Sequence, residues 1–87
     1  MTRTEVRDSL VRFMMDRMEI PFGEDPELDD DTNLFESGNI DSLDSLVLLT
    51  FLEKTFKVTV EPDDLIENPL NSVNEIVDFV TSRGTTD

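Results

Sequence analysis

The chain has 87 residues, enough for one small domain with a thin core, and its 37% hydrophobic content is low but higher than that of a disordered chain. Its formal net charge of −14 repels nucleic acid and anionic membranes and favours encounters with basic protein surfaces. Without cysteine it has neither disulfides nor cysteine-ligated zinc, and without histidine it lacks the commonest general base and metal ligand.

The first predicted element is a helix that begins near Thr4. Thr2 and Glu5 have the spacing of a capping box at its start. The segment Ile20-Pro21-Phe22-Gly23 ends the pattern, because proline and glycine break helices. The apolar residues that recur at helical spacing are Val6, Leu10, Phe13, Met14 and Met18.

A long acidic segment, residues 24–40, follows without sustained periodicity. Loops of this length are uncommon in small domains unless they are functional or held by anchors. Leu34 and Phe35 are its apolar residues near the next helix. We expect both of them to insert into the core and hold the loop.

The same loop contains an incomplete calcium-binding pattern. The residues at the six ligand offsets of an EF-hand are Asp25, Glu27, Asp29, Asp31, Asn33 and Glu36. However, Asp30 occupies the position where the EF-hand requires glycine, and Pro21 and Gly23 interrupt the entering helix. The pattern therefore favours weak, diffuse binding of divalent cations and no dedicated metal site.

A second helix is predicted over residues 41–56, with Asp41 as its N-cap. Its predicted core side consists of Leu48, Leu49, Phe51, Leu52 and Phe56. Leu43, Leu46 and Val47 fall on the other side, where a helix packed on one face does not need them. Loop residues could cover this ridge, or it could be an apolar docking surface. The adjacency of three such residues favours docking.

The remaining pattern predicts two more helices. Residues 58–60 alternate like a strand but are too few to form a sheet, and Pro62 opens a short helix in "PDDLIE". Ser72 and Glu75 have capping-box spacing at the start of a last helix, which Gly84 would end. The apolar stripe of that helix is Val73, Ile76, Val77 and Val80.

Together these elements predict an all-α fold, a small four-helix bundle with three main helices and a short third one. A long loop joins the first two helices. We expect a single domain over residues 1–83 and a frayed tail over 84–87.

Ser42, at the start of the second helix, has three possible roles. As a nucleophile it would need a nearby base, which the chain does not supply. It could share the capping with Asp41, the role that spacing alone favours. It could also carry a phosphate ester, since a helix N-terminus stabilises negative charge.

The tripeptide Asp41-Ser42-Leu43 resembles the Asp-Ser-Leu signature of acyl and peptidyl carrier proteins. The stretch "TNLFESGNIDSLDSLVLLTFLEKTFKVTVEPDDL" follows the family's order of loop anchor, attachment serine, recognition helix and short third helix. With the terminal helices, nearly the whole chain is similar. The resemblance implies that a phosphopantetheinyl transferase attaches 4′-phosphopantetheine from coenzyme A to Ser42, with Asp41 and Leu43 beside it.

The resemblance further implies a non-catalytic carrier that holds an acyl or aminoacyl group as a thioester. Its partners would be loading and processing enzymes with basic docking patches. The implied docking residues are Leu43, Asp44, Leu46 and Val47. Val47 replaces the acidic residue usual in fatty-acid carriers, and Phe51 is larger than the residue typical of its position.

These two departures favour a free-standing carrier of polyketide, nonribosomal peptide or related specialised metabolism over a housekeeping fatty-acid carrier. A D-alanyl carrier is a further alternative, since "LFESGNIDS" and "NPLNSVNEIV" resemble discrete carriers that load one small acid. An acidic calcium-binding protein and an unmodified adaptor are alternatives of another class. A signal peptide and a spanning segment are not evident, so we expect a cytoplasmic protein. The acidic charge argues against nucleic acid and membrane as partners, and we expect a monomer.

Overall fold

The computed structural model describes residues 2–67 and 69–83, and within them all regular secondary structure is helical. The elements are α1 (Arg3–Arg17), α2 (Ser42–Phe56), α3 (Pro62–Glu67) and α4 (Val73–Ser82). The predicted all-α bundle, with its short third helix and long first loop, is confirmed. None of the helices is long and apolar enough to span a bilayer, as judged over the described ranges.

Side-chain caps set where α1 begins. The Glu5 N–H donates to the Thr2 hydroxyl (3.2 Å), and the Thr2 N–H donates to the Glu5 carboxylate (2.8 Å), so the predicted capping box is present. The hydrogen bond from the Thr2 N–H also lowers the pKa of Glu5, because it stabilises the ionised form. Met18 is the C-cap, and Glu19 turns the chain away at a φ of 57°.

Helix α2 ends at a residue whose backbone has the left-handed conformation. Lys57, at a φ of 59°, reverses the backbone and leads into Val58, which is buried. Residues 57–61 form no strand, as predicted. The N–H of Val60 donates instead to the Glu53 carboxylate (3.0 Å), which ties this connection back to α2.

The core lies where the inner faces of α1, α2 and α4 meet. Its most buried members include Leu10, Met14, Leu48, Leu52, Ile76 and Val80. The predicted stripe of α4 is fully buried, and the Ser72 hydroxyl accepts from the Glu75 N–H (3.2 Å), which confirms Ser72 as N-cap. The helix ends at Ser82 with Arg83 as C-cap, while the predicted terminator Gly84 and the tail 84–87 lie outside the described residues.

The first loop is anchored in the core by one of its two predicted residues. Leu34 is completely buried, and its N–H donates to the Asn71 carbonyl (2.8 Å). The expectation for Phe35 is wrong, because 38% of its surface is exposed. Asn33 accepts from the N–H groups of Phe35 and Glu36 (3.0 Å each), and this turn directs Phe35 outward.

A second anchor of this loop joins it to α1 and α4. The Arg7 guanidinium donates two hydrogen bonds of 3.0 Å to the Asp30 carboxylate, which raise the pKa of Arg7. The backbone N–H of Asn74 donates to the Asp30 carbonyl (2.9 Å), and its side chain donates to Asp31 (2.6 Å). The loop therefore brings a fixed backbone to the start of α2.

Candidate functional site

The candidate site is the start of α2, where Asp41 is the N-cap. Its carboxylate accepts from the Asp44 N–H (2.9 Å), and its own N–H donates to the Asp44 carboxylate (3.2 Å). Both carboxylates are therefore engaged in a reciprocal capping box. Asp44, which we expected on the docking surface, is half-buried in this cap.

Ser42 is the first residue of α2, and its side chain is exposed. Within the described residues its hydroxyl makes no hydrogen bond, so it has no part in the capping. Ser45 differs, because its hydroxyl donates to the Ser42 carbonyl (2.7 Å). The hydroxyl of Ser42 is thus exposed and free of hydrogen bonds to the described residues, whereas that of Ser45 is hydrogen-bonded to the helix backbone.

The surroundings of Ser42 fit a phosphodiester. In the part of the chain that the structure describes, the N–H groups of Ser42 and Leu43 have no acceptor, as expected for the first turn of a helix. These N–H groups and the dipole of α2 favour an anionic group attached at this position. The chain has no histidine, and neither of its lysines lies next to Ser42 in the sequence to act as a base for the hydroxyl.

The ridge predicted on the outer side of α2 is exposed. The exposed fractions are 73% for Leu43, 61% for Leu46 and 50% for Val47. The first loop does not cover these side chains, so the alternative that loop residues shield the ridge from solvent is wrong. The ridge continues directly from Ser42 along the helix.

An open groove between α1 and α2 lies beside this ridge and was not predicted. Phe51, which we placed on the core side of α2, packs against the core but is only partly buried, and it stacks on the partly buried Phe13 with ring centroids 4.0 Å apart. With Leu46, Val47 and Arg17 they line a space of about 680 Å³. Phe51, which we noted as unusually large, was the one sequence signal that could have indicated it.

A smaller cavity of about 230 Å³ lies on the other side of α2, against the segment that follows α3. Its apolar lining includes Leu48, Leu49, Leu65 and Leu70 together with the exposed Phe35. Ser45 lines it as well. The start of α2 therefore has apolar surfaces on both sides.

The acidic loop uses its carboxylates to stabilise its own turns. Asp25 accepts from the Glu27 N–H (2.9 Å), and Asp29 accepts from the Asp31 N–H (2.9 Å). Over residues 2–67 and 69–83 there is no group of three or more acidic side chains placed to hold a metal ion. The EF-hand offsets thus do not converge on one point.

The comparison with known families agrees with this geometry. The family described as "Phosphopantetheine attachment site" matches residues 9–80, a span that includes Ser42, all of α2 and α3 and most of α1 and α4. The chain therefore belongs to this family, whose members bear a covalently attached 4′-phosphopantetheine and serve as carrier proteins that are in general non-catalytic. No curated protein sequence matches the chain.

Proposed function

We propose that Ser42 is the residue that carries 4′-phosphopantetheine, and that residues 1–83 act as one non-catalytic carrier domain. The observation that supports this most strongly is the exposed hydroxyl of Ser42. Ser42 is the first residue of α2, and its hydroxyl is not used in the cap. The neighbouring Ser45 is a weaker candidate because its hydroxyl is hydrogen-bonded.

In the attachment reaction the Ser42 oxygen forms a bond to the β-phosphorus of coenzyme A and loses its proton, and 3′,5′-ADP leaves. The transferase supplies the base, because this chain has no group suited to the task near Ser42. Once attached, the group supplies the thiol on which a chain without cysteine can hold a thioester. Asp41 and Asp44 then keep the first turn of α2 fixed beneath it.

The ridge Leu43, Leu46 and Val47 is the surface we propose for docking of the transferase and of processing enzymes. Its exposure and its proximity to Ser42 support this role. Asp44 contributes chiefly by fixing the cap, and its charge adds to the acidic field that attracts basic patches. Val47 and Phe51 differ from fatty-acid carriers, which supports a polyketide, nonribosomal peptide or related pathway.

The attachment is tested by incubation of the purified protein with coenzyme A, magnesium and a broad-specificity phosphopantetheinyl transferase. Intact mass should rise by one phosphopantetheinyl group in the wild type and in Ser45→Ala, and should stay constant in Ser42→Ala. An unmodified wild type, or a Ser42→Ala variant that still gains the group, would show that Ser42 is not the attachment site. An unmodified adaptor would give the first of these results.

A further inference from the structure

The groove between α1 and α2 combines an apolar floor with positive charge, in a chain that is otherwise strongly acidic. We propose that this groove binds the acyl group carried on the chain's own arm when that group ends in a carboxylate. This inference rests on the proposed attachment at Ser42 and names the class of cargo.

The floor of the groove is suited to a hydrocarbon segment. The stacked rings of Phe13 and Phe51 are partly accessible. Leu46 is 61% exposed and Val47 is 50% exposed. Apolar surface of this kind gains from being covered by methylene groups. The groove is open to solvent, so a tethered group can enter it.

The charge of the groove distinguishes it from the rest of the surface. Three of the seven basic residues form ion pairs with carboxylates of other elements: Arg3 with Asp78, Arg7 with Asp30 and Arg83 with Asp64. Arg17 and Lys54 both line the groove, and neither forms an ion pair with any described residue. No acidic side chain is among the groove's lining residues.

An anionic group on the arm would be repelled by most of a surface with a net charge of −14. The groove is where two unpaired cations lie beside apolar side chains. Charge complementarity therefore selects an acyl chain with a terminal carboxylate over a neutral chain of the same length, while the apolar floor accommodates the methylene segment of either.

The groove and the attachment site share α2. Leu46, Thr50 and Lys54 follow Ser42 at successive steps of four residues, so they form one ridge that is inclined to the axis of α2. Each step advances about 6 Å along the helix axis, which places Lys54 about 18 Å from Ser42 along that axis. An arm attached at Ser42 would have to extend along α2 for its acyl group to reach Lys54.

The cavity on the other side of α2 offers no such charge. Its lining is apolar apart from the uncharged Ser45 and Asn71, and it contains no basic side chain. Burial of a carboxylate there would leave its charge without a cationic partner, which is costly. The two sites therefore separate acyl groups by whether they end in a charge.

The test compares two acyl groups of equal carbon number. The transferase is given hexanoyl-coenzyme A or adipoyl-coenzyme A, loading is checked by intact mass, and backbone amide shifts are recorded for the ¹⁵N-labelled protein. Relative to the hexanoyl form, the adipoyl form should shift the amides of Phe13, Thr50 and Lys54. These shifts should be lost in the double variant Arg17→Gln/Lys54→Gln.

The matched control is Arg12→Gln/Lys57→Gln, which removes the same charge from two cations that do not line the groove, and it should keep the shifts. If neither group adds mass, the proposed attachment itself fails. If both load but give the same shifts, or if the adipoyl group perturbs Leu65 and Leu70, the inference about the groove is overturned while the attachment stands. Persistence of the shifts in the Arg17/Lys54 variant would also overturn it.

Discussion

Two adjacent residues at the start of α2 divide the tasks that the sequence left open. Asp41 caps the helix through its carboxylate, and Ser42 keeps an exposed hydroxyl that takes no part in the cap. Spacing alone favoured a capping role for Ser42, because Ser and Asp are both good capping residues. The structure corrects this, since the N–H of Asp44 is already satisfied by Asp41.

Asp41→Ala should therefore lower the free energy of unfolding, whereas Ser42→Ala should not. Loss of a carboxylate N-cap costs about 0.5–2 kcal/mol, and an exposed side chain without a hydrogen bond changes stability by no more than about 0.5 kcal/mol. Urea denaturation of the two variants beside the wild type measures both values. Equal destabilisation by the two substitutions would mean that Ser42 shares the capping after all.

Val47 and Leu52 lie on opposite sides of α2 and should respond differently to substitution. Val47 is 50% exposed, so Val47→Glu should change the free energy of unfolding by about 0.5 kcal/mol or less. Leu52 is fully buried, so Leu52→Ala should cost about 2–5 kcal/mol. In an assay of cargo loading by a cognate enzyme, the folded Val47→Glu variant should be impaired.

Chemical denaturation and the loading assay together separate folding from docking. Normal loading of Val47→Glu would show that the ridge is not the docking surface. Collapse of its fold would contradict the exposure of that side of α2. Neither outcome bears on the proposed attachment at Ser42.

At the level of helices and loops, the features that depend on near neighbours were predictable. The starts of α1, α2 and α4 follow from capping residues within three positions of each other, and the buried stripes follow from helical periodicity. Features set by distant residues were not. The Arg7–Asp30 anchor joins residues 23 apart, and the groove depends on how far apart α1 and α2 pack, which periodicity does not determine.

The short helix α3 shows how an element without buried residues is kept in place. None of its six residues is buried. Asp64 of α3 pairs with Arg83 at the end of α4, and the Arg83 guanidinium also lies 4.6 Å from the centre of the Phe79 ring. The hydrogen bond from the Glu61 N–H, followed by the contact with Arg83, lowers the pKa of Asp64 below its ordinary value of 3.8.

Arg83→Gln should loosen α3 without unfolding the bundle. Amide hydrogen exchange over residues 62–67 should accelerate, while exchange in the core of α1 and α4 should stay as in the wild type, since local openings need not involve the whole domain. Acidification should also loosen α3. A lowered folded-state pKa means that the contribution of Asp64 is complete above pH 3.8 and is lost as the pH falls through the folded-state value.

The control for this experiment is Arg12→Gln, because Arg12 forms no ion pair with the described residues and lies on α1. It removes the same charge but should leave exchange in α3 unchanged. Unaltered exchange in Arg83→Gln would show that α3 is held by its other contacts. Faster exchange throughout the domain would mean that Arg83 stabilises the bundle as a whole.

Over the whole molecule, repulsion among carboxylates is the main electrostatic term. The chain has 21 acidic and 7 basic residues, and the ion pairs between elements engage only Arg3, Arg7 and Arg83 among the described residues. Exposed ion pairs contribute little, about 0–1 kcal/mol each, and salt screens them. Salt also screens the repulsion, which involves many more charges. Screening of the repulsion should therefore outweigh screening of the ion pairs.

The melting temperature should therefore rise with added sodium chloride and rise further with millimolar magnesium or calcium. Each kcal/mol of repulsion relieved corresponds to about 4–8 °C in a domain of this size. Because the described carboxylates form no cluster that could hold a metal ion, the rise should be gradual, and calorimetric titration should show no tight stoichiometric binding. A matched series with choline chloride separates screening from cation contacts. A melting temperature unaffected by every salt would mean that the repulsion is too weak to matter, and one-to-one calcium binding at low concentration would restore the EF-hand hypothesis.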